Sequence, residues 1–206
     1  AHIPGVATIV QDQQRGTGHA VSVALAALPQ VTAGLVLVLA GDTPLVRTAD
    51  LAGALAAAAS GATAAVVVTA KLSDPDGYGR IVRAEDGSLL RIVEERDADD
   101  VVRDIFEVNS GVYAFDAAKL AGAIGKLQSN NSQGELYLTD VIEILRNEGG
   151  TIAAVLIEDF IEILGVNDRV QLAESAALLR DRINEDLMRA GVSIVDPLNT
   201  WIDATA

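Results

Sequence analysis

The sequence contains no cysteine, which excludes disulfide bonds and thiolate metal sites. It holds only two histidines, so a zinc site would have to be mostly carboxylate, an uncommon donor set. Aromatic residues are 3% of the chain, too few to build base-stacking platforms. Basic residues are scarce as well. Lys and Arg total 15 against 29 Asp and Glu, giving a net charge of -14. With no basic patch to offset that charge, neither nucleic acid nor an anionic membrane is an expected partner. A membrane span needs ~18 apolar residues, and no run reaches that length. The longest candidate, Leu51 to Val68, is interrupted by Ser60-Gly61. No basic segment followed by an apolar one opens the chain, so the cytoplasm is the expected location.

What is present is the mix of a globular protein: 206 residues, 50% hydrophobic and 21% charged. That length buries a sizeable core, and the apolar content excludes disorder as the main state. Apolar runs of strand length alternate with stretches of helical period. Val6 to Val10 reads as a strand, and Thr17 as the N-cap of a helix that Pro29 ends. Leu35 to Ala40 is apolar on both faces, as in a buried parallel strand. Thr48 opens an Ala-rich helix, and Ala64 to Ala70 is a second buried strand. Two short runs flank Asp86-Gly87, a hairpin signal. Asp97 to Asp104 reads as a solvated acidic excursion, Ile105 to Phe115 as a strand and Asp116 as a helix start. Glu135 to Glu148 reads as an amphipathic helix stopped by Gly149-Gly150. Ile152 to Ile157 reads as a strand. Asn167 to Ala190 reads as a long helix with Leu172, Ala176, Leu179 and Ile183 on its buried stripe. The expected class is α/β, a mixed but mostly parallel sheet flanked by helices in the Rossmann-like manner. In such sheets ligands gather outside the carboxyl ends of the strands.

Several residues stand at those ends. Asp42, in Gly41-Asp42-Thr43-Pro44, is either a turn starter or a hard carboxylate suited to a divalent cation. Gln11 and Gly16-Thr17 follow the first apolar run. Glycine there allows close approach of backbone N–H groups to an anion, and a Gln amide can pair with a nucleobase edge. The same stretch reads equally as an ordinary β-α loop, and His19 as structural. Glu94 and Asn109 interrupt apolar runs; if buried, each needs a polar partner, such as a sugar hydroxyl or acetamido group. Asn167 reads as an N-cap. No nucleophilic triad and no Walker loop is present.

The motifs gain meaning as an ordered series. Gln11, then Gly16-Thr17-Gly18-His19-Ala20, Gly41-Asp42-Thr43-Pro44-Leu45, Gly77-Tyr78-Gly79-Arg80 and Ile92-Val93-Glu94 come first. Asn109-Ser110-Gly111-Val112-Tyr113, Glu135 to Asp140 and Gly165-Val166-Asn167-Asp168-Arg169 follow. From Val6 to its last residue the chain resembles the uridyltransferase domain of bacterial bifunctional N-acetylglucosamine-1-phosphate uridyltransferase/glucosamine-1-phosphate acetyltransferases. The resemblance implies a nucleotide-diphospho-sugar transferase fold. It implies transfer of UMP from UTP to N-acetylglucosamine 1-phosphate, giving UDP-N-acetylglucosamine for cell-wall peptidoglycan, and pyrophosphate. It implies Mg²⁺ held by Asp42 and Asn167. Gln11, Gly16 and Thr17 would read uridine, with Ala40 and Gly41 on the same side. Gly79, Glu94 and Asn109 would bind the N-acetylglucosamine moiety, helped by Tyr137 and Thr139.

Two departures from the family pattern shape the expectations. Family members open with a strand and a Gly-rich loop whose Arg and Lys hold the triphosphate, and no such segment is recognised here. Thr200-Trp201-Ile202-Asp203 looks like the lead-in to the left-handed β-helix that carries acetyl transfer and trimer formation in the family. The expected organisation is therefore a uridyltransferase domain over 1–196 without its first strand, and the start of a linker over 197–206. An isolated chain of this kind is expected to be inactive, because its candidate site residues supply no positive charge to two polyanionic substrates. Two alternatives carry weight: a non-catalytic nucleotidyltransferase-like binding module, and another sugar-1-phosphate nucleotidyltransferase, such as a thymidylyltransferase acting on glucose 1-phosphate.

Overall fold

The longest uninterrupted apolar strand, Thr63–Lys71, becomes an inner strand of a six-stranded sheet. It is β2 in chain order, after α1 (Thr17–Ala27), β1 (Leu35–Val38) and α2 (Thr48–Ala58). After it come β3 (Arg80–Arg83), β4 (Leu89–Val93), α3 (Asp100–Arg103), β5 (Glu107–Asp116), α4 (Ala117–Ile124), α5 (Asp140–Asn147), β6 (Thr151–Ile157) and α6 (Arg169–Arg189). The computed structural model describes residues 6–59 and 63–205. They form two compact units, the first made of residues up to 39 together with 48–160, the second of 40–47 together with 161 onward.

In the first unit the sheet order is β4-β3-β5-β2-β6, with β1 also paired to β5. It is the expected mixed sheet flanked by helices, but its pairings are not mostly parallel. Only β2 and β6 pair in parallel among the described strands; β1, β2 and β3 each pair antiparallel with β5. The reason is β5, which is inserted between strands that all run the opposite way. Four strands, β1, β2, β3 and β6, still share one direction. The hairpin signal is realised: β3 and β4 pair antiparallel across Asp86-Gly87, and Ala84 N–H donates to Ser88 O at 2.8 Å.

The core lies on one face of the sheet. Ala65 and Val67 of β2, Ile81, Ile92, Tyr113 and Phe115 pack there with Leu120 of α4 and Val141, Ile142 and Leu145 of α5. Val66 and Val68 point from the opposite face, as strand alternation requires, and are equally buried. Helix α2 packs on β2, β5 and β6, and it contributes the fully buried Ala54. An alanine-rich helix lets its backbone lie close to the sheet.

Some local expectations fail for instructive reasons. Val6 to Val10 is not a strand; its residues are exposed, and no other strand pairs with them among the described residues. β1 is shorter than its apolar run and only half-buried, because it lies against one end of β5 rather than inside a parallel array. Residues 135–138 are not helical. Their backbone is spent elsewhere: Leu136 N–H donates to Arg15 O at 2.8 Å, and Gly18 N–H donates to Leu136 O at 2.8 Å. Leu138 N–H completes the clasp by donating to Thr17 Oγ1 at 3.1 Å. That bond also shows why Thr17 is not an N-cap; Gly16 holds the position instead. A side chain at Gly16 would place its Cβ 2.6 Å from Leu136 O, and its φ of 100° is itself costly for any other residue.

The second unit contains α6, capped by Asp168, whose Oδ1 accepts from Val170 N–H and Gln171 N–H, both at 2.8 Å. The expected cap, Asn167, is thereby released from that duty. The stripe is also displaced: Leu172 is 54% exposed, whereas Ser175 and Asn184 are buried. Asn184 Nδ2 donates to Pro197 O and Thr200 O, both at 2.8 Å, and so ties the C-terminal segment to the helix. The acidic stretch after β4 is not wholly free in solvent. It forms a 3-10 turn and α3, which Asp99 caps at Val102 N–H, and it buries Ala98.

Candidate functional site

Three groups of side chains gather residues that are distant in sequence. The first lies in the first unit, where β3, β4, β5 and the segment before α5 meet. Thr139 Oγ1 donates to Glu94 Oε1 at 2.8 Å. Gly79 O accepts from Asn109 N–H at 2.8 Å, and a Cβ at Gly79 would sit 3.4 Å from Glu94 Oε2. Glu94 and Tyr137 line a cleft of about 230 Å³ with Asp97, Asp140 and Glu143. The stretches that carry the five residues expected to bind the sugar are therefore neighbours, and of the five Glu94 and Tyr137 line the cleft itself. Burial pushes the Glu94 carboxyl up, only partly offset by the Thr139 hydroxyl. That is the behaviour of a carboxylate largely kept from water.

The second group is also in the first unit. Gln11, Gly16 and Thr17 line one cleft of about 290 Å³, together with Gln14, Ala20 and Glu135. Gln11 Nε2 lies 2.9 Å from His19 Nδ1 and 3.3 Å from Gly16 O. His19 thus shares a hydrogen bond with Gln11.

The third group belongs to the second unit. Val166 N–H donates to Asp42 O at 2.8 Å, which brings Asp42 beside the segment carrying Asn167. Arg182 Nη1 donates to Leu45 O at 2.9 Å, and Arg47 pairs with buried Glu162 at 2.7 Å. These contacts hold the 40–47 loop, and Thr43 Oγ1, donating to Ala40 O at 3.1 Å, shapes its turn. The Asp42 side chain plays no part in that turn. It is exposed and accepts no hydrogen bond among the described residues. The Asn167 carboxamide is exposed and likewise unbonded, while its N–H donates to Gln171 Oε1 at 2.7 Å. An unbonded carboxylate and an unbonded amide oxygen are donors of the kind a hard divalent cation takes. No group of three or more acidic or histidine side chains among the described residues is placed so that it could hold a metal ion. Ala40 and Gly41 precede Asp42 on the same loop.

A family profile described as nucleotidyl transferase matches residues 4–203. The chain belongs to the nucleotidyl transferase family. Among its relatives is the "Bifunctional protein GlmU" of Mycolicibacterium vanbaalenii, 54% identical over 194 residues, or 94% of this chain and 39% of the relative. The protein of the same name from Corynebacterium diphtheriae is 51% identical over 97% of this chain and 41% of the relative. That from Streptomyces coelicolor is 48% identical over 98% of this chain and 42% of the relative. The chain thus spans about two fifths of the length of these curated relatives. Nucleotidyl transferases of this kind generally use a divalent metal. No helix among the described residues is long and apolar enough to cross a membrane.

The sequence did not single out the acidic wall of this nucleotidyl transferase's first cleft. By sequence Asp140 is part of the Glu135 to Asp140 stretch that opens a helix, and Asp97 reads as a solvated charge. Only the fold sets them with Glu94 and Glu143 around one cavity. The spacing of Asp140 and Glu143, three apart on α5, was the one available signal. Burial, then the charges of Glu143, Glu94 and Asp97, push the Asp140 carboxyl up to about 6. Because this folded-state value lies above the ordinary one, the unfolded chain binds fewer protons between about pH 4 and 6, and stability falls as pH rises through that window. Asp140→Asn is expected to raise stability at pH 8 by up to about 1 kcal/mol, the shift being discounted for partial exposure. The gain should vanish as the pH approaches 4. Thermal unfolding of both proteins across this range checks the sign.

Proposed function

We propose that this chain carries the uridyltransfer site of a UDP-N-acetylglucosamine pyrophosphorylase, moving UMP from UTP to N-acetylglucosamine 1-phosphate with release of pyrophosphate. The observation that carries the reading is the convergence of Gly79, Glu94, Asn109, Tyr137 and Thr139, from four stretches of sequence, around one half-buried carboxylate. Membership of the nucleotidyl transferase family supports the reaction class, and the relatives named GlmU support this branch of it.

The sugar phosphate is ionised near neutral pH, so it can attack the α-phosphorus without a general base. Catalysis is then positioning and charge neutralisation. Glu94, Asn109 and the groups around them hold the sugar. Gln11, Gly16 and Thr17 face the uracil and ribose, and Ala40 and Gly41 contribute backbone on the nucleotide side. Asp42 and Asn167 hold the metal, for which Mg²⁺ is the proposed ion. Bound there, it supplies the charge neutralisation that an acidic chain lacks.

The direct test is pyrophosphate release by the full-length protein with UTP and N-acetylglucosamine 1-phosphate, with and without chelator. Failure to turn over in the presence of Mg²⁺ would refute the proposal, and preference for a thymidine nucleotide with glucose 1-phosphate would move it to another branch of the family. Within this reading, Glu94→Ala is expected to raise the KM for the sugar phosphate by roughly 10- to 150-fold, since a hydrogen bond to a charged group is worth about 1.5–3 kcal/mol. The KM for UTP should hardly change. Equal losses for both substrates would place Glu94 in the fold rather than at the sugar.

A further inference from the structure

Gly16 is a fixed reference point beside the second cleft. Its φ of 100° and its close approach to Leu136 O confine it, and its carbonyl already accepts from Ala20 N–H at 3.2 Å. The same carbonyl lies 3.3 Å from Gln11 Nε2. A carbonyl oxygen can only accept, so it decides which atom of the Gln11 carboxamide is nitrogen. His19, in the first turn of α1, lies 2.9 Å from that nitrogen through its Nδ1. The amide nitrogen can only donate, so Nδ1 is the ring nitrogen without hydrogen and the imidazole proton sits on Nε2.

Both hydrogens of Gln11 Nε2 are thereby engaged inside the protein. The amide oxygen is not. Oε1 accepts no hydrogen bond among the described residues, and it is not sealed away from solvent. Gln11 lines the cleft of about 290 Å³ with Gly16 and Thr17, whereas His19 lines a separate cleft of about 250 Å³ with Asp12 and Gln13. The histidine thus stands behind Gln11 rather than in the same cleft.

We infer that His19 is a positioning residue: by occupying the second N–H of Gln11 it leaves that side chain an acceptor alone, so that the cleft takes a pyrimidine base that donates from N3. Uracil and thymine carry an N–H there. Cytosine carries a lone pair, which would face the lone pairs of Oε1. Its 4-amino group reaches Oε1 only if the whole base slides along its edge, carrying the ribose and phosphates with it. A carboxamide free to turn could answer either base, with oxygen for one and nitrogen for the other. Held from two sides, it answers only the first, and the wrong base leaves two acceptors facing each other without a proton. This inference rests on the proposed uridyltransfer reading and adds the source of its base selectivity.

The test is calorimetric binding of UTP and CTP, each with Mg²⁺, to full-length wild-type protein, His19→Phe and His19→Asn. Wild type should prefer UTP. His19→Phe keeps a ring but has no acceptor, and it is expected to lose about three- to tenfold of that preference, the effect of one hydrogen bond. His19→Asn sets an amide oxygen near the place of Nδ1 and should restore most of it. A preference that stays intact in His19→Phe, even where both nucleotides bind more weakly or the melting temperature falls, shows a merely structural role and overturns the inference. Nitrogen-15 NMR of His19 in the wild-type protein tests the same point without a substitution: the tautomer protonated on Nε2 is expected, and protonation on Nδ1 overturns the inference. A wild-type protein that binds CTP as well as UTP fails at an earlier point and refutes the inference together with the functional reading beneath it.

Discussion

Asp42→Asn is expected to lower uridyltransfer by the full-length protein by at least about two orders of magnitude, the scale on which a metal ion stabilises a phosphoryl transition state. The fold should scarcely notice. The substitution keeps the shape of the side chain and removes only its charge. The contacts that hold the loop do not use that carboxylate: Val166 N–H donates to the backbone oxygen of Asp42, and Thr43 Oγ1 donates to Ala40 O. The variant should therefore unfold at nearly the wild-type temperature while demanding much more Mg²⁺ for its residual turnover. Pyrophosphate release measured over a range of Mg²⁺ concentrations, beside thermal unfolding, separates the two possibilities. Retained turnover with a lowered unfolding temperature would show Asp42 to be a turn residue after all.

The largest expected effect on stability comes from removing the partner of a buried charge. Arg80 opens β3 and its side chain is 0% exposed. Its Nη1 donates to Tyr78 O, and Glu95 Oε2 lies 2.8 Å from the same nitrogen. Asp76 is 3.9 Å from Nη2, and Nε and Nη2 have no hydrogen-bond partner. Glu95 is thus the closest compensation for a guanidinium withdrawn from water. Glu95→Ala is expected to cost about 3–5 kcal/mol, the usual penalty for leaving a buried charge without its partner. Arg80→Met should cost less, because it removes the desolvated charge itself, and the Glu95 left behind is partly exposed and still meets Arg103 at 3.4 Å. Chemical denaturation of both variants tests the asymmetry. If Arg80→Met is the more damaging of the two, packing of the arginine stem rather than the charge pair holds this corner. The corner has a functional side: Arg80 and Glu95 directly follow Gly79 and Glu94 in the chain, so loosening it should also weaken sugar binding.

Signals carried by the local chain were legible in the amino-acid sequence. The Asp86-Gly87 turn, the Asp116 cap and the buried strand from Ala64 to Ala70 depend on a few neighbouring residues, and each forms where expected. The ordered motifs from Gln11 to Asn167 likewise lie in the one-dimensional order of the chain, and they sufficed to indicate the nucleotidyl transferase family. What the sequence could not decide were choices between competing partners that only packing brings within reach. Residues 135–138 have a helical pattern, yet their backbone groups bond to residues 15–18 at the start of α1, more than a hundred positions away. Asn167 and Asp168 are both good caps, and the cap fell to Asp168, which left the Asn167 carboxamide exposed and unbonded. Val6 to Val10 has the composition of a strand, but a strand exists only where another strand's edge meets it. Asp140 has an ordinary carboxyl in isolation; burial and three other acidic side chains, all supplied by the fold, make it a weaker acid. The hydrogen bond from Asn109 Nδ2 to the Tyr113 hydroxyl spans a bulge of β5 whose register is set against β2. The local chain thus determined the Asp86-Gly87 turn, the Asp116 cap and the buried strand, and which residue types were available. Through-space competition for hydrogen bonds and for water decided which of those residues remain free to act.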